Sequence, residues 1–409
     1  MSAHHVGRRV STRVLVLGLL AALAAGGAAG ALVVGAHSSA GHRAAGGQLV
    51  RHKTTTTGAG APTTVAATAT TSTAPRAPRT LRLVAAAPAS GSSAIAGNAT
   101  LTLTFSSPLA ADSAHPRLSP ATPGAWSVTG DALRFTPTAP FVPLSSLTVR
   151  VPAGRAGVRS RTGALLPAAV VEHYRVQNGS IFRLQQLLSL LQYSPLAFSS
   201  PAGPLAPNDT AAQLTALYHA PKGTFSWRQS GWPHALVALW QPGVDNVFTQ
   251  GLIMEFQADH GLIPNGSITA SLWLALVQAL SAHTVNTGGY NYAVANKTPP
   301  ESFTLYHNGA VVLHTPANTG ISQTPTPDGT FPVYERLRNQ VMRGTNPDGS
   351  HYADPVQFVA YFFHSDAVHF MPRADYGIPQ SLGCIELPYA AAAKTWPYLA
   401  YGTLVTVEN

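Results

Sequence analysis

Cysteine is almost absent from this chain: Cys384 is the only one in 409 residues. With no second thiol there is no internal disulfide, so a disulfide-stapled scaffold is excluded and the one thiol remains free to react. Acidic residues are missing from the N-terminal stretch, where nine Lys/Arg up to Arg82 stand without a single Asp or Glu. The rest of the chain carries sixteen cationic and sixteen acidic residues, so the net charge of +9 belongs to the N-terminus alone. A neutral body offers no basic patch for nucleic acid. There is no His-Glu-x-x-His, which removes the commonest zinc-peptidase pattern.

What is present begins with compartment. Arg8, Arg9 and Arg13 close a basic tail (residues 1–13) ahead of an uncharged Val/Leu/Ala/Gly run over 14–36. About 20 apolar residues suffice to cross a bilayer as a helix, and the preceding arginines predict a cytoplasmic N-terminus. The segment reads as an uncleaved membrane anchor, with a cleaved signal peptide as the alternative. Either reading exports the body to the cell envelope, anchored in the membrane in one case and released to the wall in the other. Residues 37–80 are a Thr/Ala/Pro/Gly linker, including Thr54-Thr55-Thr56-Thr57, too poor in apolar surface to offset the entropy of ordering.

Three modules follow, so the expected fold class is multidomain. Over 81–177, Leu101, Leu103 and Phe105 alternate with threonines, as do Leu147, Val149 and Val151 with Thr148 and Arg150. Period-two alternation between Pro- and Gly-rich breaks predicts an all-β sandwich, and the pattern resembles the immunoglobulin-like domains of exported bacterial wall proteins. Over 178–282 the period becomes helical. Leu252, Ile253, Phe256 and His260 share one face, and Leu272, Ala275, Leu276 and Ala279 share another behind a Thr269 cap. The Arg183 to Leu188 stretch predicts a further helix packed on these two. Phe256-Gln257, Gly261-Leu262, Asn265-Gly266 and Leu272-Trp273 resemble the peptidoglycan-binding helical repeat.

Over 290–409 the alternation is β again, with Asn308-Gly309 as a hairpin turn between Phe303–His307 and Val311–His314. Here the lone cysteine stands in Ser381-Leu382-Gly383-Cys384-Ile385-Glu386-Leu387, with His369 fifteen positions upstream. A thiol of ordinary pKa ~8.5 needs a base or a positive neighbour to become a good nucleophile. His369 is the expected base. Gly383 lets the backbone come close to a ligand, so the N–H groups of Gly383 and Cys384 are the expected oxyanion donors. Ser381 either holds the turn or contacts substrate. His364, in Phe363-His364-Ser365, is the rival base. His351 and Tyr352 are expected in a loop over the cleft.

Thr326-Pro327-Asp328-Gly329-Thr330-Phe331-Pro332, His369, Tyr376-Gly377-Ile378-Pro379 and Ser381-x-Gly-Cys384 occur in an order that resembles the catalytic domain of the L,D-transpeptidases of bacterial walls, the YkuD type. The resemblance implies a mainly β domain and an acyl transfer through a Cys384 thioester. The donor would be a peptidoglycan tetrapeptide stem that loses its terminal D-alanine. The acceptor would be an amine of a neighbouring stem, giving a 3–3 cross-link. It implies no cofactor and no metal, and it makes carbapenem β-lactams the expected inhibitors. Water as acceptor would give an L,D-carboxypeptidase instead, and a peptidoglycan-binding scaffold without activity is the alternative from another class. The chain departs from the family at Leu382, where His is usual, at Glu386, where Arg is common, and at Phe370, where Gly or Ser often follows the histidine. Glu386 is expected to pair with a basic neighbour or to read a substrate amine. A papain-like peptidase is excluded by order, because no histidine follows Cys384.

Overall fold

A computed structural model describes residues 80–409. The anchor or signal segment and the linker up to residue 79 lie outside them. Among the described residues no helix is long and apolar enough to cross a membrane.

Alternating leucines and threonines become strands because each strand buries one face. The N-terminal strands are β1 (Leu83–Ala87), β2 (Leu101–Phe105), β3 (Arg117–Ser119), β4 (Gly124–Thr129), β5 (Ala132–Pro137), β6 (Ser146–Val151) and β7 (Val170–Arg175). They form two sheets, β1-β2-β5-β4 and β3-β6-β7. Leu101, Leu103 and Phe105 from one sheet meet Leu147, Val149 and Val151 from the other in a single core. The turns rest on Gly130 and Gly154, both at positive φ.

The next module is helical with a small hairpin set into it: α1 (Ile181–Leu190), β8 (Leu196–Ser199), α2 (Thr210–Ala216), β9 (Thr224–Trp227), α3 (His234–Leu239), α4 (Val247–Asp259) and α5 (Ala270–Ser281). The β8–β9 pair is an addition to the helices expected from the sequence. Thr269 caps α5, its side chain accepting from the Leu272 N–H. The Phe-Gln pair has internal duties. Phe256 is fully buried, and the Gln257 amide staples the following turn by accepting from Asn265 and Gly266 N–H and donating to the Ser267 carbonyl. A Cβ on Gly251 would sit 2.6 Å from the Gly402 carbonyl oxygen, so at this glycine α4 abuts the C-terminal domain.

That domain comprises β10 (Asn291–Asn296), β11 (Ser302–His307), β12 (Ala310–Pro316), β13 (Gly329–Pro332), β14 (Glu335–Thr345), β15 (His351–Phe363), β16 (Asp366–Phe370), β17 (Ile385–Leu387), α6 (Tyr389–Thr395) and β18 (Leu404–Glu408). One sheet runs β12-β11-β10-β18-β13 and the other β14-β15-β16-β17. Asn308 and Gly309 both take positive φ at the β11–β12 turn, as a two-residue hairpin requires. Phe303, Leu305, Val405 and Val407 of the first sheet pack against Phe358, Ala360, Val368, Ile385 and Leu387 of the second, with Ala391 and Ala392 of α6. The outer face of the second sheet carries a separate cluster of Val356, Val359, Tyr361 and Ala367, joined by Leu337, Met342, Met371 and Cys384. His351 and Tyr352, expected in a loop, instead begin β15, where Tyr352 pairs with Gly344 in the long β14–β15 hairpin.

Candidate active site

Strand alternation decides which side chains meet. β16 and β17 pair in parallel, with Val368 opposite Ile385, His369 opposite Glu386 and Phe370 opposite Leu387. Val368, Ile385 and Leu387 enter the inter-sheet core. Period-two geometry therefore turns Ala367, His369, Cys384 and Glu386 to the other face, and Ala367 and Cys384 do lie together in the outer cluster. Cys384 sits one residue before β17, beside Ala367, with His369 two residues further along β16. The structure thus brings the predicted nucleophile and base to one face. His364, the rival, is exposed in the β15–β16 turn at positive φ.

His369 is buried, and its Nδ1 lies 3.0 Å from the Phe370 carbonyl oxygen. A carbonyl only accepts, so Nδ1 carries the proton and Nε2 keeps its lone pair. Burial lowers the affinity of His369 for a second proton, and the Phe370 carbonyl and Glu386 offset this in part. The Cys384 thiol is pushed up to about 12, chiefly by burial. The Ala367 N–H pulls the other way, and the charges of Asp366 and Glu386 push it further up. At neutral pH the resting pair is therefore thiol and neutral imidazole, and deprotonation must accompany attack. The sulfur leans toward the Ser365 carbonyl, 3.9 Å away.

Ser381 holds the turn. Its hydroxyl donates to the Cys384 carbonyl at 2.6 Å and accepts from the Gly383 N–H at 3.1 Å. The Gly383 N–H, one of the two expected oxyanion donors, is thus engaged inside the loop at rest. The loop's own side chains leave the Cys384 N–H untaken. Gly383 has φ +126°, and a Cβ there would lie 2.4 Å from Asp366 Oδ1, so only glycine fits. Its carbonyl accepts from Thr326 Oγ1 at 2.7 Å, and Thr326 in turn accepts from the Gly320 N–H. Asn318 exchanges both backbone hydrogen bonds with Glu386 and receives the Gly377 N–H on its side chain at 3.0 Å. The Thr-Pro and Tyr-Gly-x-Pro segments singled out in the sequence are thus the clamps of the cysteine loop.

Glu386 is neutralised. Arg373 meets it through two short hydrogen bonds, Nε to Oε2 at 2.7 Å and Nη2 to Oε1 at 2.6 Å. Of the two roles open to Glu386, pairing with a basic neighbour is what the structure contains. Sequence reasoning missed Arg373 itself, since a loop arginine thirteen residues before its partner has no motif to mark it. It also missed Asp366, which announces itself only through the space left by Gly383. Tyr352 and Tyr361 lie close enough to feel the charge state of Cys384.

Residues 290–407 match the family model of the L,D-transpeptidase catalytic domain, YkuD. Residues 77–174 match that of a bacterial Ig-like domain, Big_5. No curated protein matches the chain. Among solved structures, an L,D-transpeptidase from Mycobacterium smegmatis is similar at 13% identity, covering 81% of this chain and 100% of that one, with a TM-score of 0.28. L,D-transpeptidase 3 from Mycobacterium tuberculosis, in complex with a faropenem-derived adduct, is similar at 13% identity over 80% of this chain and 98% of that one, TM-score 0.27. The catalytic domain of the Enterococcus faecium L,D-transpeptidase is similar at 26% identity over 30% of this chain and 99% of that one, TM-score 0.26. The chain is a multidomain, mainly β protein that carries an Ig-like domain and an L,D-transpeptidase catalytic domain.

Proposed function

We propose that the protein is a peptidoglycan L,D-transpeptidase with Cys384 as nucleophile and His369 as general base. The observation that carries this reading is the β16–β17 register, which turns both residues to one face while the Phe370 carbonyl fixes the imidazole with Nε2 as acceptor. His369 takes the thiol proton as sulfur attacks the carbonyl that follows the third stem residue. The imidazolium then returns that proton to the leaving D-alanine amine. The Cys384 N–H is the backbone donor for the developing oxyanion, and each such donor is worth about 3 kcal/mol. Ser381 and Gly383 act by shaping the loop. The thioester is resolved by an amine of a neighbouring stem, giving a 3–3 cross-link, or by water, giving carboxypeptidase activity.

In this reading the helical module (178–282) holds the enzyme on peptidoglycan. Residues 14–36 either anchor it to the membrane or direct its export, and carbapenems acylate Cys384. Intact-protein mass spectrometry after carbapenem treatment tests the nucleophile. A stoichiometric adduct on the wild type and none on Cys384→Ala is expected. A folded wild type that stays unmodified would favour the binding scaffold. Muropeptide analysis with a tetrapeptide donor then separates cross-linked product from hydrolysed product.

A further inference from the structure

The helical module and the C-terminal domain meet at a groove that the chemistry at Cys384 does not use. Its volume is about 610 Å³. One wall comes from the helical module, with Gln250 and Met254 of α4 and the turn Ile263-Pro264-Asn265. The other comes from the C-terminal domain, with Tyr334 and Glu335 where β14 begins, Phe362 of β15 and Tyr401. Both walls are fixed before any ligand arrives. Gln257 staples the turn that carries Ile263. Gly402, beside Tyr401, abuts Gly251 of α4 and donates its N–H to the Val333 carbonyl. Ile263 is nevertheless 77% exposed, the most exposed large apolar side chain among the described residues. Held rigidly in water at the lip of a preformed groove, it contributes little to folding and is suited to covering a ligand.

Glu335 is the only charged residue in the lining, so a polyanion finds no cation there. Two tyrosines together with the Gln250 and Asn265 amides suit a pyranose, whose C–H face is apolar and whose rim carries hydroxyl and acetamido groups. The groove also leads to the catalytic face. The Tyr334 ring lies 6.2 Å from that of Tyr361, which packs in the cluster that Cys384 joins. The Tyr334 hydroxyl donates to the His364 carbonyl, next to the Ser365 carbonyl that the sulfur approaches. We propose that this groove is a sugar subsite that holds the glycan strand bearing the donor stem, while the stem itself reaches Cys384. The subsite rests on the transpeptidase reading above and names what that enzyme selects: stems still attached to sugar.

The test compares two donors, a disaccharide-tetrapeptide and the same tetrapeptide without sugar, by the rate at which each forms the Cys384 thioester. The ratio of the two rates cancels any change in the nucleophile itself. Wild type should favour the disaccharide donor by about tenfold or more. Ile263→Ser should lower that ratio about fivefold, the contribution of a large aliphatic side chain half-covered by ligand, and Tyr401→Ala should lower it as well. Equal acylation of the two donors by wild type, or a preference that survives both variants, overturns the sugar subsite and leaves the nucleophile assignment standing. A wild type that forms no thioester with either donor removes the transpeptidase reading and the subsite with it. A second measurement needs no variant. Glycan oligomers stripped of their stems should slow acylation by the disaccharide donor and leave that by the bare tetrapeptide unchanged. Equal slowing of the two, or none of either, overturns the proposal even if the variants do not fold.

Discussion

Replacing Arg373 by Met keeps the apolar stem and deletes the guanidinium fork. Glu386 would then be left with an Asn318 amide at 3.5 Å as its remaining side-chain donor. Its side chain is 5% exposed and that of Arg373 29%. The carboxylate is therefore the desolvated partner, and the arginine carries its charge in from the surface. Removing one partner of a fully buried pair costs about 3–5 kcal/mol. Because water can enter from the Arg373 side, the lower end, about 3 kcal/mol, is the expectation here. The double variant Arg373→Met/Glu386→Gln removes the stranded charge as well and should recover about 2 kcal/mol of that loss, which is the signature of coupling rather than of two separate packing defects.

Urea unfolding followed by labelling of Cys384, the single thiol of the chain, would read the C-terminal domain. The variants should shift the midpoint of that transition without changing its slope. Function should follow stability. Glu386 is the register partner of His369, so carbapenem acylation of Arg373→Met should slow while that of the double variant partly recovers. A single variant within about 0.5 kcal/mol of wild type, or a double variant no better than the single, would refute the claim that the pair supports the site.

Other outcomes follow from the same geometry. Burial lowers the proton affinity of His369, so the neutral base should be present at and above the ordinary histidine pKa of about 6.5. The acylation rate should accordingly hold to below pH 6.5 and then fall as the imidazole is protonated; a profile that falls already near pH 8 would contradict this. Gly383→Ala places a Cβ at positive φ against Asp366, which should cost about 2 kcal/mol and abolish acylation, and removing the Asp366 carboxylate in the same chain should restore stability only in part. Ser381→Ala leaves the Gly383 N–H without its acceptor and should destabilise by about 1–3 kcal/mol, measured by the same unfolding. Asp366 is raised to about 6, chiefly by burial. The native carboxyl thus binds its proton more tightly than the unfolded one, and stability is lost as pH rises from about 4 through 6. Asp366→Asn should therefore melt higher than wild type at pH 7.5, with the difference gone by pH 4.

The parts of this architecture that rest on local pattern were legible from the residues. Leucine–threonine alternation marked the strands of the first sandwich, Asn308-Gly309 marked the β11–β12 hairpin of the C-terminal domain, and Thr269 marked the start of α5, because each follows from chemistry within a few neighbouring residues. The lone Cys384 and His369 could be paired for the same kind of reason, as a thiol and a base at a plausible separation. What the sequence could not display is the cross-strand traffic. That Ser381 closes its own loop, that Thr326 and Asn318 clamp that loop from more than fifty residues away, and that Arg373 rather than a motif residue neutralises Glu386, all depend on a parallel register that no periodicity encodes. The Gly383 N–H shows the same limit. A glycine before a nucleophile is permissive for an oxyanion hole, but the serine two residues earlier competes for the same N–H.

That competition bears on how the site achieves nucleophilicity. With the thiol pushed up to about 12 and the imidazole depressed, a preformed thiolate–imidazolium pair is not the resting state. The two shifts oppose ion-pair formation from both sides, so proton transfer belongs to the attack itself and is favoured only when a substrate carbonyl is in place. Such an arrangement discriminates against adventitious oxidation and alkylation, which depend on thiolate already present. It makes acylation correspondingly sensitive to the position of the carbonyl, and hence to the Ser381–Cys384 loop that sets the Cys384 N–H. Iodoacetamide and a carbapenem should accordingly separate the two properties: the first should modify Cys384 slowly at neutral pH and faster as pH rises toward 9 and above, while the second should acylate it with little pH dependence between 7 and 9. Rapid alkylation at pH 7 would mean that a thiolate pre-exists and that burial does not hold the proton on sulfur.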